Sequence, residues 1–330
     1  MREFTYTAPA TLTEAVEALT LAGPEAKVLA GGTTLYDLMK LGVERPRALV
    51  DVRDLPELAG YDTTGPGELV FGAAARMADV ADDPVLARDY PALAESLAKA
   101  ASGQVRNMAT VGGNLLQRTR CPYFRGGRPF PCNKREPGSG CAARGGPDRT
   151  QAVLGTSEAC TAAYPGDWAV ALLAFDARLD LLGPLGARTI PLSALHREPG
   201  DTPHHEHGLA DHELIVRIRV PATAAGRAST YHKVRDRESF AFALASAAAA
   251  VRLDGHGTVQ DCRIALGGLA TRPWRATAAE RSLLGGPLTA LTARRAGEIA
   301  LAGARDDVKT ELGTRTVAQA LHIAADRWTR

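Results

Sequence analysis

Cys121, Cys132, Cys141 and Cys160 are separated by ten, eight and eighteen residues, in a chain holding five cysteines in all. The stretch around them, residues 118–149, reads RTRCPYFRGGRPFPCNKREPGSGCAARGGPDR and shows no apolar periodicity. Such a Gly-, Pro- and Arg-rich segment cannot bury enough apolar surface to fix its own shape. Thiolates meeting at a metal would fix it, and four cysteines suit either an iron–sulfur cluster or zinc. Zinc fingers and ribbons use gaps of about two to four residues within each ligand pair, and no such gap occurs here. Wide, irregular gaps fit a cluster better, while disulfides or free thiols stand as a third reading.

Two glycine pairs offer a different chemistry. Ala30-Gly31-Gly32-Thr33-Thr34-Leu35 follows a short apolar run and opens a helical one. Thr110-Val111-Gly112-Gly113-Asn114 lies just ahead of the cysteines. Without a Cβ the backbone can approach a ligand closely, and successive amides there can hold pyrophosphate oxygens. Thr33, Thr34, Thr110 and Asn114 could add side-chain hydrogen bonds. The bland reading of either pair is a tight turn. Neither is the G-x-G-x-x-G fingerprint or the Walker loop, which disfavours a Rossmann site.

Asp167, in PGDW, reads either as a helix N-cap or as a carboxylate for a ribose hydroxyl. Lys233, in YHKVRDRESF, is expected half exposed on a strand, able to meet a flavin or phosphate oxygen. His204, His205 and His207 resemble a metal cluster but sit in a polar loop without an evident partner. Cys262, in DCRIALGG, reads as a buried strand thiol. No Ser–His–Asp or G-x-S-x-G arrangement points to a hydrolase.

The elements that must position these residues follow from periodicity. Thr11 or Thr13 caps a helix with Leu12, Ala15, Val16 and Leu19 on its apolar face, stopped by Gly23-Pro24. Strands are expected over 27–30, 47–52 and 69–73, helices over 35–41 and 85–101. This β/α alternation suggests a lobe of parallel or mixed strands. Beyond the cysteines come a helix over 167–175, strands over 178–182, 189–192 and 213–220, and a linker over 221–226. Residues 242–253 are Ala-rich, which by propensity says helix. They run into Asp254-Gly255-His256-Gly257 and a further apolar run over 259–266, so a β-hairpin is expected against propensity. Helices over 277–284, 291–302 and 316–327 complete the chain.

With 330 residues, 45% hydrophobic and 23% charged, the composition is that of a soluble globular protein of two domains. A net charge of +2 argues against a general nucleic-acid binder. Residues 118–149 hold eight Arg/Lys against two acids, either a solvated loop or a docking face for an acidic redox partner. MREFTYTAPATL has no apolar core of a signal peptide, and no run approaches the roughly eighteen apolar residues of a membrane span. A cytoplasmic protein is expected, or one exported with a signal-bearing partner.

Six motifs in order resemble the FAD-binding medium subunit of the molybdenum hydroxylases, the group of carbon monoxide and xanthine dehydrogenases. They are AGGTTL, QVRNMATVGGN, PGDWAVAL, ELIVRIRVP, KVRDRESFAFALASAAAAV and RIALGGLATRP, and they cover nearly the whole chain. The cysteine-bearing stretch is similar to FAD subunits of bacterial aldehyde oxidoreductases and to the β subunit of 4-hydroxybenzoyl-CoA reductase. That resemblance implies a [4Fe–4S] cluster on Cys121, Cys132, Cys141 and Cys160. It also implies an α+β fold: a PCMH-type FAD-binding domain of two α/β lobes over 1–222, with the cluster insertion at 118–160. A small carbon monoxide dehydrogenase flavoprotein C-terminal domain follows over 227–330.

Carried over by position, the FAD contacts would be Ala30, Gly31, Gly32, Thr33, Thr34, Leu35, Thr110, Val111, Gly112, Gly113, Asn114, Asp167, Ile215 and Lys233. Ala100 stands where relatives often carry an aromatic ring on the flavin. The implied partners are a molybdopterin-binding large subunit and a [2Fe–2S] small subunit, the organic chemistry lying in the former. The chain itself would carry electrons to an acceptor, with ferredoxin, quinone or oxygen ahead of NAD; aldehydes lead as the complex's substrate, with the purines of a xanthine dehydrogenase and the aromatic thioesters of a hydroxybenzoyl-CoA reductase following. A stand-alone flavin oxidase and a zinc-stabilised interaction module are the rival classes.

Overall fold

Three sheets, one per lobe, form around the short apolar runs of the sequence. The computed structural model describes residues 2–305 and 308–329. Met1, Asp306, Asp307 and Arg330 fall inside the two expected domains but lie outside the described residues. The first lobe comprises β1 (Thr5–Thr7), α1 (Leu12–Ala22), β2 (Ala26–Leu29), α2 (Leu35–Lys40) and β3 (Ala48–Asp51). Its sheet runs β1-β3-β2 and is parallel at both pairings. The Thr11 hydroxyl caps α1 by accepting from Glu14 N at 3.2 Å. Gly23 ends it at a φ of 74° that glycine adopts without steric cost.

The second lobe contains β4 (Tyr61–Asp62), β5 (Glu68–Gly72), α3 (Met77–Ala81), α4 (Pro84–Asp89) and α5 (Pro91–Ala98). It continues through α6 (Gly103–Arg106), α7 (Val111–Leu115), α8 (Pro122–Arg125), α9 (Trp168–Ala174), β6 (Arg178–Gly183), β7 (Gly186–Pro191) and β8 (Leu214–Pro221). The sheet order is β4-β5-β8-β6-β7, antiparallel throughout. The single helix expected over 85–101 is two, broken at Tyr90. Pro91 cannot donate a helical hydrogen bond and drives the preceding residue out of the α region. Helix α9 is apolar all round and buried on every side.

The third lobe contains β9 (Ser229–Val234), β10 (Ala245–Leu253), β11 (Val259–Gly267), β12 (Trp274–Arg275), α10 (Thr277–Leu283), α11 (Ala290–Ala300) and α12 (Val308–Trp328). Its sheet order is β12-β11-β10-β9. The Ala-rich run is a strand, because its alternate residues enter two cores. Ala248 and Ala250 pack into the core of the first two lobes, whereas Ala245, Ala247, Ala249 and Val251 join the core under α11 and α12. A strand buried on both faces admits close neighbours only where its side chains are small, and this tertiary gain overrides helix propensity.

The cysteine-bearing segment holds its shape through charge. Arg118 pairs with Glu44 and Glu206, and Lys134 meets Glu206 at 2.7 Å. Arg125 reaches Asp37 at 2.6 Å, Arg144 reaches Glu158 at 2.6 Å, and Arg149 reaches Asp236 at 2.9 Å. Arg135 donates to the carbonyls of Tyr123 and Phe124 at 2.9 and 2.8 Å. Six of the segment's eight basic side chains, Arg120 included, thus meet acids outside it, which clamps it to the rest of the chain.

Candidate functional site

The first glycine loop connects β2 to α2. An added Cβ on Gly31 would lie 1.8 Å from the Met108 carbonyl oxygen, so only glycine lets this loop rest on residues 108–109. Gly32 takes a φ of 72°. The amides of Gly31, Gly32, Thr33, Thr34 and Leu35 meet no acceptor among the described residues. Five adjacent free N–H groups form a cradle for anionic oxygens.

The second loop differs. Val111 and Gly112 donate to the carbonyls of Ala75 and Ala73 at 2.9 Å, and Asn114 N donates to Thr110 O at 2.9 Å. Gly113 N donates to the Thr110 hydroxyl at 3.2 Å. These amides hold α7 in place and are not available to a ligand. An added Cβ on Gly112 would fall 2.7 Å from the Ala73 Cβ, while one on Gly113 would stand 3.9 Å from the Ala30 Cβ, where the two loops adjoin. What this loop offers is Asn114 Oδ1, buried and without a hydrogen-bond partner among the described residues. A buried acceptor left open is costly unless a ligand donor meets it.

Asp167 and Lys233 form a buried ion pair at 2.8 Å, with side chains 5% and 1% exposed. Lys233 is therefore not half exposed, and Asp167 makes no side-chain cap on α9. Burial pushes the Asp167 carboxyl above its ordinary range against the pull of Lys233 and Tyr231. Lys233 Nζ also donates to Lys99 O at 2.9 Å. Ala100 is buried directly after that carbonyl, and Ile215 lies buried in β8, paired with Leu181.

Cys121, Cys132, Cys141 and Cys160 line one pocket. Leu38 of α2 packs in the same apolar cluster as Cys121, Cys132 and Cys160, which couples this pocket to the helix that follows the amide cradle. All four thiols are free. Burial raises the Cys121 thiol and raises Cys160 to about 11. Among the described residues, no group of three or more His, Cys, Asp and Glu side chains is placed to hold a metal ion. The histidine loop has another role. His196 Nε2 lies 2.8 Å from Leu115 O, and the rings of His196 and His207 stand 5.9 Å apart.

That loop carries a pH dependence. Burial holds His196 and His207 near 3 and 4, below the ordinary 6.5. Burial alone would raise Glu206, but Arg118 and Lys134 hold it near 2. As pH falls below 6.5 the unfolded chain binds protons that the folded histidines refuse; below about 4.5 it binds one that Glu206 refuses. Stability is therefore complete above pH 6.5 and declines toward the folded values, by up to about 1.4 kcal/mol per pH unit per group. Denaturation midpoints at about pH 7.5 and pH 5 check this; equal midpoints would exclude it.

Residues 2–223 match the family described as the FAD binding domain in molybdopterin dehydrogenase. Residues 229–310 match the CO dehydrogenase flavoprotein C-terminal domain. The chain belongs to the FAD-binding subunits of the molybdenum hydroxylases. This FAD-binding subunit is 48% identical to the aldehyde oxidoreductase FAD-binding subunit PaoB of Escherichia coli strain K12, over 86% of each chain. It is 30% identical to the carbon monoxide dehydrogenase medium chain of Hydrogenophaga pseudoflava, over 99% of this chain and 98% of the relative. The solved carbon monoxide dehydrogenase of that organism superposes with a TM-score of 0.76, covering 98% of each chain at 30% identity. The mixed α/β architecture is that of the medium chain, and these relatives are oxidoreductase subunits.

Sequence reasoning missed Tyr231 and Ser246 in the FAD-binding subunit. Tyr231 Oη lies 2.6 Å from Asp167 Oδ1 and 2.9 Å from Ser246 Oγ. The available signal was strand period: Tyr231 sits two residues before Lys233 on β9, and Ser246 pairs with Lys233 in register.

Proposed function

We propose that this chain is the electron-transfer subunit of a molybdenum-dependent aldehyde oxidoreductase, holding FAD at the two glycine loops and a [4Fe–4S] cluster at the four cysteines. The observation that carries the reading is the pairing of five open amides with one buried open acceptor, Asn114 Oδ1, where the loops adjoin. The amides of Gly31 to Leu35 suit the diphosphate, and Ala30 and Gly113 keep the floor free of side-chain bulk. Thr110 and Val111 support that floor through the cap and the bond to Ala75. Ala100 and Ile215 are assigned to the flavin's surroundings with Asp167 and Lys233. Bound there, FAD supplies a switch between one- and two-electron chemistry, and the protein contributes orientation and local charge.

The four-cysteine donor set, with no competing carboxylate or imidazole in the pocket, supports an iron–sulfur cluster. In this reading the subunit folds in the cytoplasm, where thiols stay reduced and open to iron. Its partners are the molybdopterin-binding large subunit and the [2Fe–2S] small subunit, and its acceptor is ferredoxin, quinone or oxygen ahead of NAD. Rapid reoxidation by NAD in stopped flow would overturn the acceptor order.

Metal and flavin analysis of the purified protein tests the whole. About four irons with matching sulfide and one FAD per chain is the expected result; one zinc, or a colourless protein, would sink it. Gly31→Ala is a sharper local test. Its Cβ would strike the Met108 backbone, so the cradle must move, with a stability loss of about 1–3 kcal/mol. Flavin content should fall with it, and a variant retaining full FAD would contradict the assignment of this loop.

A further inference from the structure

The polar chain behind Lys233 has no structural need to exist. Asp167, Tyr231 and Ser246 are buried, and the Lys233 side chain is 1% exposed. Replacing such a buried ion pair by apolar residues is often neutral or stabilising, so packing alone does not explain it. The geometry of its donors does suggest a purpose. An ammonium carries three N–H donors. Lys233 directs one to Asp167 Oδ2 at 2.8 Å and one to Lys99 O at 2.9 Å. The third meets no acceptor among the described residues and is shielded from water, so it is open to a bound group.

We propose that Tyr231 and Ser246 are positioning residues that, acting through Asp167, hold Lys233 in place beside the bound flavin. This rests on the FAD reading above. A phenol has one proton, and at 2.6 Å that proton lies on the Tyr231–Asp167 bond. Ser246 Oγ, 2.9 Å away, must then donate to the phenol oxygen and strengthen it as a donor. This second donor holds the carboxylate in place against the burial that pushes its carboxyl upward. Without it Asp167 loses one of its two side-chain partners, and the ion pair that fixes Lys233 is held less firmly. The cation is then less firmly fixed beside the bound flavin. A nearby cation favours the electron-rich reduced flavin, so a cation less firmly placed lowers the flavin's midpoint potential.

The test is spectroelectrochemical titration of the purified holo-complex of wild type, Tyr231→Phe and Ser246→Ala, with FAD per chain measured in parallel. The expected result is one FAD per chain in all three. The midpoint should move to more negative values in Tyr231→Phe, and less far in the same direction in Ser246→Ala. Retained FAD with an unchanged or more positive potential in both variants would overturn the proposal while leaving the FAD reading intact. A wild-type holo-complex without FAD would overturn both. If Tyr231→Phe fails to fold, the Ser246→Ala shift decides, since that change leaves the Tyr231–Asp167 bond in place.

Discussion

Lys233→Met should destabilise the fold by about 3–5 kcal/mol, because it leaves the Asp167 carboxylate buried without its cation. Asp167 would retain only the Tyr231 hydroxyl at 2.6 Å. Part of the cost is relieved when the carboxyl protonates, a tendency that burial already favours. Urea denaturation of the purified protein reads the loss directly, and a change below about 1 kcal/mol would show that the pair has little energetic weight. The double variant Lys233→Met with Asp167→Leu separates stability from function. Removing both charges should recover much of the folding free energy, since an apolar pair can replace a buried ion pair. Flavin content or its potential should remain altered, because the free Lys233 donor is gone.

Cys132→Ser is expected to lower iron from about four per chain to a fraction of that, since the proposed ligand set loses one thiolate. FAD should remain near one per chain, for the amide cradle is built by residues 31–35 and not by the cysteine segment. The insertion should loosen without unravelling, because Arg118, Lys134, Arg125 and Arg149 still tie it to acids outside the segment. Limited proteolysis across residues 126–150, set beside iron and flavin contents, measures both effects. Iron unchanged in this variant would remove Cys132 from the ligand set, and loss of FAD together with iron would mean that the two sites are not separable.

Where periodicity and punctuation were strong, the elements were legible. The Thr11 cap and Gly23 stop bound α1 within a residue or two of expectation. The hairpin of β10 and β11 was legible because its turn residues outweighed the helix propensity of the alanines. The long helix over 85–101 was over-read, because an apolar period of 3.6 continues through Pro91 although the backbone cannot. In the site, the glycine pairs marked both loops. Composition did not distinguish their roles, since a free amide and a bonded one have the same sequence. Only the partners at Ala73, Ala75 and Thr110 show that the second loop is a support.

By itself the chain's order of residues determined the family, the two glycine loops, the four cysteines and most strand and helix positions, because each rests on local chemistry or on a pattern along one segment. Tertiary structure decided what depends on distant segments meeting. It brought Lys233 to Asp167 across 66 positions and matched the basic insertion with Asp37, Glu44 and Glu206. It also left Asn114 Oδ1 without a partner. The physical reason is common to all three. The charge state and availability of a polar group depend on burial and on what faces it, and neither is a property of neighbours in sequence.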